Sequence, residues 1–189
     1  MSTIKDYIDA DLTGANIDRV IFSGDFTRAD LTGCNLAGRD LSDTNFTFAK
    51  LQEVNLRGAS LLRAVLFGAK LRNSDLYQTD LTWATLTEAN LNHIKGRKAD
   101  FFGSKLRAAS FYGAELIEAD FYGTDLTDVS FIDADLTDAR LARSDLRGAN
   151  FTGARLSGAV FEGARISVSA LHTISTSSGA IFRSIEVVG

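Results

Sequence analysis

From Phe26 onward a large apolar residue stands at every fifth position. Of the 30 such slots between Phe26 and Leu171, 29 hold Leu, Phe or Ile, and one holds Gly96. Leu12 and Ile17 precede the series, and a one-residue slip near Ile21 and Phe22 joins the two stretches. Two positions before each large residue sits a small one, as at Ala29, Ala49, Ala69 and Ala89. The residue between them is polar, often Asp or Asn, as at Asp30, Asn90 and Asp120. Two positions after the large residue glycine recurs, and with Gly14 this slot holds 12 of the 16 glycines.

A period of five fits neither an amphipathic helix nor a long alternating strand. A small and a large residue two apart lie on one side of a very short extended segment. The glycine slot then marks a corner, because glycine takes a positive φ without a Cβ penalty. Four such segments close a path, which rises by one strand spacing, roughly 4.8 Å, and stacks on itself. The pattern therefore predicts an all-β fold, a quadrilateral β-helix (β-solenoid) with 20 residues per coil and about eight coils. On that spacing the rod is roughly 40 Å long. The chain contains no proline. That absence fits, because each coil needs its N–H groups for its neighbours.

The unit A-[D/N]-L-x-x, as in Ala29-Asp30-Leu31, Ala89-Asn90-Leu91 and Ala149-Asn150-Phe151, resembles the pentapeptide-repeat proteins. The resemblance covers residues 10–171. It implies a right-handed β-helix, and it says little about function, since many such proteins have no assigned activity. A smaller group mimics DNA in shape and charge, binds DNA gyrase and protects it from quinolones or toxins. Members of that group are strongly acidic along one face, dimerise through an apolar C-terminal helix, and some carry projecting loops. This chain has a net charge of -4, no long loop and a tail with little helical character.

Composition narrows the chemistry. The chain has 189 residues, enough for one sizeable core, with one cysteine and two histidines. That excludes a disulfide framework and any cysteine-clustered metal site. Mild acidity argues against direct nucleic-acid binding. No long apolar run is present to span a membrane. The first ten residues lack the apolar core of a secretory signal, so the expected location is cytoplasmic. No phosphate loop, HExxH motif, calcium loop or nucleophile elbow occurs. No catalytic, cofactor-binding or metal-binding residue is expected, and the protein is not expected to be an enzyme.

The deviations from the repeat carry the remaining information. Gly96 vacates an inward slot, and Ile94 stands two residues earlier where a small residue belongs; a volume exchange is the simplest reading, a functional kink the other. Arg39 also occupies a small slot, so it is expected at a distorted corner or reaching an acid such as Asp18 or Asp43. Cys34 reads as a buried small hydrophobe. The slip over 21–25 predicts a bulge or small loop. Residues 1–171 are read as the repeat domain with a short N-terminal cap over Ile4, Tyr7 and Ile8. Residues 172–189 are read as a C-terminal capping tail, or a segment for self-association, because a solenoid end exposes unpaired edges.

Residues 20 apart should lie one above the other, which maps the outer wall. Phe102 then stacks over Tyr122, with Trp83 at the neighbouring corner and Tyr112 on the next face. An acidic band over 115–138 contains no Lys or Arg. The candidate interaction surface comprises Phe102, Tyr122, Trp83, Tyr112, Glu115, Glu118, Asp120, Asp125 and Asp128. Cross-rung pairs such as Asp120 with Arg140 and Asp135 with Arg155 are expected where that band lies beside basic rungs. Two readings follow: a non-catalytic scaffold that binds an unidentified protein partner, and a gyrase-directed DNA mimic. A monomer or a weak homodimer through an end cap is expected.

Overall fold

The computed structural model describes residues 6–13, 24–174 and 179–188. Single parallel bridges link each polar slot to the residue 20 positions on, from Asp25↔Asn45 through Arg140↔Val160. Each bridge is held from both sides: the Leu31 N–H donates to the Lys50 carbonyl at 2.8 Å, and the Lys50 N–H to the Ala29 carbonyl at 2.9 Å. Between bridges the chain turns every five residues, closed by bonds such as Ala29 N–H to Phe26 O at 3.0 Å. The sheet content is therefore carried by one-residue rungs. Among the described residues, longer strands emerge only near the C-terminal end, the first two being β1 (Asp145–Leu146) and β2 (Arg165–Ser167).

The third residue of each turn takes a positive φ throughout, at all the slots from Arg28 to Gly163. Glycine fills only part of this column. Arg28, Trp83, Ala108 and Asp128 hold the same left-handed conformation, with φ between 56° and 60°. Tertiary pairing on both sides of each turn overrides the penalty that an L-residue meets there.

The large residues fill the axis, and Phe26 through Ile166 are buried. Phenylalanines concentrate in the C-terminal half of the column. Phe101 stacks on Phe121 with centroids 4.7 Å apart, while Phe111, from another wall, meets both edge-on. Ile94 is fully buried, and an added Cβ at Gly96 would lie 3.1 Å from its Cδ1 and 2.9 Å from Leu116 Cδ2. The bridges Asp75↔Lys95 and Lys95↔Glu115 run straight through this point, and the Gly96 N–H bonds Glu115 O at 2.8 Å. The Ile94/Gly96 pair is thus a volume exchange, and the ladder does not kink. Cys34 is buried, its thiol 3.4 Å from the Leu12 carbonyl, and burial pushes its pKa up.

Arg39 sits at a regular corner, so the first of its two expected outcomes does not hold. Its backbone keeps the regular turn and rung bonds, to Leu36 O at 3.2 Å and from Ser60 N at 2.9 Å, so the corner is not distorted. Of the two proposed acids, Asp43 is held by Arg63 at 2.6 Å, and Asp18 lies outside the described residues. The expected bulge over 21–25 falls mostly outside them too. Asp11 bridges Asp30 at an offset of 19, one residue fewer than the regular coil.

Both ends close by ring stacking. Tyr7 lies 4.8 Å from Phe26 with planes 15° apart, covering the axis, whereas Ile8 is exposed and Ile4 lies outside the described residues. At the other end helix α1 (Val168–Thr173) follows β2, capped by the Ser167 side chain accepting from Ala170 N. This helix crosses the expected boundary at 171, and Leu171 is a half-buried helical residue in it, not an inward repeat residue. The chain then rejoins the ladder at an offset of 21, with Val160↔Ile181 and β3 (Glu186–Val188) parallel to β2. Phe182 stacks on Phe161 at 4.8 Å, so part of the tail acts as one more partial coil.

Candidate interaction surface

Each wall is built from Asp/Asn–large–polar units. The Asp or Asn oxygen accepts the backbone N–H two residues on, as in Asp25 to Thr27 at 2.8 Å and Asp100 to Phe102 at 2.9 Å. Where the third residue is Thr, its hydroxyl donates to the same oxygen, as at Asp125–Thr127, 2.7 Å. Such local bonds explain why Asp and Asn recur in this slot. They also tie most acids of this slot to the scaffold by one carboxylate oxygen.

Phe102 stacks on Tyr122 with centroids 5.5 Å apart and planes 5° apart. Trp83 meets Phe102 edge-on at 5.3 Å, and its indole lies over Gly103, where a Cβ would come within 2.5 Å of the ring. Trp83 is 57% exposed, the most exposed of the large apolar side chains described. Arg140 continues the array: its guanidinium lies 4.2 Å over the Tyr122 ring and 3.1 Å from Asp120, with Arg143 at 5.8 Å from the same ring. Trp83, Phe102, Tyr122 and Asp120 therefore form one continuous surface. Tyr112 does not join it; it packs edge-on to His93 at 5.2 Å on another wall.

The acidic band does not act as one patch. Glu118 is held by Arg97 at 2.7 Å and by Lys98 at 3.3 Å, and these cations keep its carboxyl below the usual range. Asp135 pairs with Arg155 at 3.5 Å. Asp125 is bonded to Thr127, and an Asp128 oxygen lies against the Gly148 corner. Glu115 lines a shallow groove of about 500 Å³ with Ile117, Asp133, Asp135 and Arg155. The small residues Gly113, Ala114 and Gly153 also line it. Among the described residues no group of His, Cys, Asp and Glu is placed to hold a metal ion.

Asp100 differs from its neighbours. Burial pushes its carboxyl pKa up, the Asp120 and Asp80 carboxylates add to this, and the Phe102 N–H works against it. These three aspartates form one bridged column, Asp80↔Asp100↔Asp120.

Two features were missed from sequence. One is a ring-on-glycine corner, repeated at Phe48–Phe67–Gly68, Trp83–Phe102–Gly103 and His93–Tyr112–Gly113. The offsets of 19 and 20 residues were its readable signal. The other is the arginine held jointly by an aspartate and a tyrosine, seen for Arg140 and again for Arg57, which lies 3.1 Å from Asp75 and 4.4 Å over Tyr77.

A family model described as pentapeptide repeats matches eight copies, over residues 25–61, 64–95, 97–131 and 130–167. No curated protein matches the chain. Solved structures do. A trypsin-treated variant of QnrB1, a plasmid-mediated fluoroquinolone resistance protein, is 19% identical, with 87% of this chain and 86% of that one covered and a TM-score of 0.68. A pentapeptide repeat protein from the Arabidopsis thaliana thylakoid lumen is 28% identical over 51% of this chain and 68% of that one, with a TM-score of 0.51. HetL, a pentapeptide repeat protein involved in heterocyst differentiation regulation from Nostoc, is 28% identical, with 86% of each chain covered and a TM-score of 0.45. Such neighbours are built as right-handed quadrilateral β-helices.

Proposed function

The chain belongs to the pentapeptide-repeat family, and from that premise we propose that it is a non-catalytic scaffold that binds a protein partner. On this reading it is a right-handed quadrilateral β-helix of about eight coils, with its interaction surface on the wall of Trp83, Phe102 and Tyr122. One observation carries the reading: an exposed indole leads into a stacked pair of rings and a guanidinium, none of which the ladder itself requires. Exposed aromatic and arginine clusters of this kind are the usual anchors of protein interfaces.

The test is affinity capture from the native organism followed by mass spectrometry. Trp83→Ala should lose the captured partner and Tyr112→Ala, on another wall, should keep it, with both melting as folded proteins. Trp83→His provides a second variant, since His93 shows that histidine fits this corner. Retention of the partner by both Trp83 variants, or equal loss with Tyr112→Ala, overturns the assignment.

The gyrase-directed reading finds less support. A DNA mimic needs a continuous acidic face, and here Glu118, Asp120, Asp135 and Asp145 are each neutralised by a neighbouring cation. Supercoiling by gyrase in the presence of a quinolone should be unprotected by this protein; dose-dependent protection would reverse the ranking.

A further inference from the structure

The molecule shows twice how its wall binds a guanidinium. In Asp75-Leu76-Tyr77 the aspartate accepts the tyrosine N–H at 3.0 Å on one oxygen, and Arg57 takes the other at 3.1 Å while lying over the ring. In Asp120-Phe121-Tyr122 the corresponding bond is 2.8 Å, and Arg140 completes the set from the next coil. The carboxylate supplies charge and hydrogen-bond direction, the ring a face, and arginine's planar fork suits both.

Asp100-Phe101-Phe102 is a third unit of this form, with its N–H bond at 2.9 Å. The position that supplies Arg140 to Asp120 holds Asp120 itself relative to Asp100, and the position that supplies Arg57 to Asp75 holds Thr82. Asp100 and its bridged neighbour Asp80 form no ion pair among the described residues. Beside this uncompensated charge stands Trp83, edge-on to Phe102 and largely exposed.

We propose that the wall of Asp80, Asp100, Phe102 and Trp83 docks an arginine-bearing segment of a protein partner. The guanidinium bonds the outward oxygen of Asp100 and lies against the Trp83 ring. This rests on the interaction-scaffold reading and specifies the partner's chemistry. Charge complementarity selects the occupant: the stacked carboxylates of Asp80 and Asp100, which form no ion pair among the described residues, attract a cation and repel a polyanion. The exposed ring favours arginine over lysine, whose ammonium is more strongly hydrated.

Trp83 is the only tryptophan, so its emission reads the site directly. The probes are the capped peptide Gly-Arg-Gly-Arg-Gly and its lysine counterpart. The arginine peptide should change the emission saturably, and the lysine peptide should bind at least about fivefold more weakly. Asp100→Asn should weaken arginine-peptide binding about tenfold. Its fold should persist, because asparagine fills the same slot at Asn90 and accepts the same backbone bond. The proposal is overturned by no saturable change, by equal response to both peptides, or by an unaltered response in Asp100→Asn. An emission change on raising protein concentration alone would make a second copy the occupant and overturn it as well. If Trp83→Ala loses a captured partner yet the peptides fail, the interaction surface stands and the arginine assignment falls. If both fail, the scaffold reading falls with it.

Discussion

Restoring the repeat at Ile94 and Gly96 should expose how strongly two columns of the axis are coupled. Ile94 is fully buried, so Ile94→Ala removes a packed side chain and leaves a cavity, at about 2–5 kcal/mol. Gly96→Leu alone inserts a side chain where even a Cβ meets Leu116 Cδ2 at 2.9 Å and Ile94 Cδ1 at 3.1 Å. Overpacking of that kind costs about 1–3 kcal/mol or more. Independent sites would sum to a loss of about 3–8 kcal/mol. The double variant instead recreates the small–x–large pattern of the neighbouring segments, and Gly96 has an ordinary backbone that accepts leucine. It should lie within about 1 kcal/mol of the parent, a coupling of several kcal/mol. Urea unfolding followed by circular dichroism, on the parent, both single variants and the double, measures this directly. A double variant as unstable as the sum of the singles would refute the volume exchange.

The remaining predictions concern the turns, the small column and the carboxylates. Ser104 Oγ is buried without a hydrogen-bond partner, whereas Ser74 Oγ donates to Leu51 O at 2.6 Å. Ser104→Ala should therefore stabilise by up to about 1 kcal/mol and Ser74→Ala destabilise by about 1 kcal/mol in the same unfolding assay; the reverse order would refute it. Gly123→Ala meets only the left-handed backbone penalty, about 1–2 kcal/mol, since nothing lies within 4 Å of the new Cβ. Gly68→Ala should cost more, because its Cβ would enter the Phe48 ring, and removing that ring with Phe48→Ala should return the cost to the Gly123 value. Asp30 and Asp145 are held below their ordinary value of 3.8, chiefly by Lys50 and by Arg147 respectively. A lowered folded pKa contributes stability that is present above the unfolded value and lost as pH falls through the folded one. The melting temperature should thus drop below about pH 4, and less so for Asp30→Asn with Asp145→Asn; an unchanged pH profile in that double variant would exclude the pairs as the cause.

The fivefold period makes the turns, the inward column and the rung-to-rung register readable in the sequence. Each follows from a short-range rule: side-chain alternation, corner geometry and a fixed number of residues per coil. The same rule placed Phe102 over Tyr122 and Asp120 beside Arg140. It could not show that Trp83 folds edge-on against Phe102 and across Gly103, because that direction is set by the coil above. Nor did it identify the joint hold of Asp75 and Tyr77 on Arg57, which depends on side-chain reach between rungs.

Arg39 and the tail mark the boundary between the two kinds of information. From sequence, a guanidinium in a small slot implied a distorted corner or a reach to an acid; in the structure the backbone at Arg39 holds its regular turn and rung bonds. The tail carries no period of five, so nothing local announced that it rejoins the ladder after helix α1. That return is decided by the unpaired edge of β2 and the open face of Phe161, which β3 and Phe182 cover. The sequence by itself determined the solenoid, because every coil repeats one local solution. The tertiary structure decided where the solenoid ends and which side chains share a surface, because both depend on groups that meet only when coils stack.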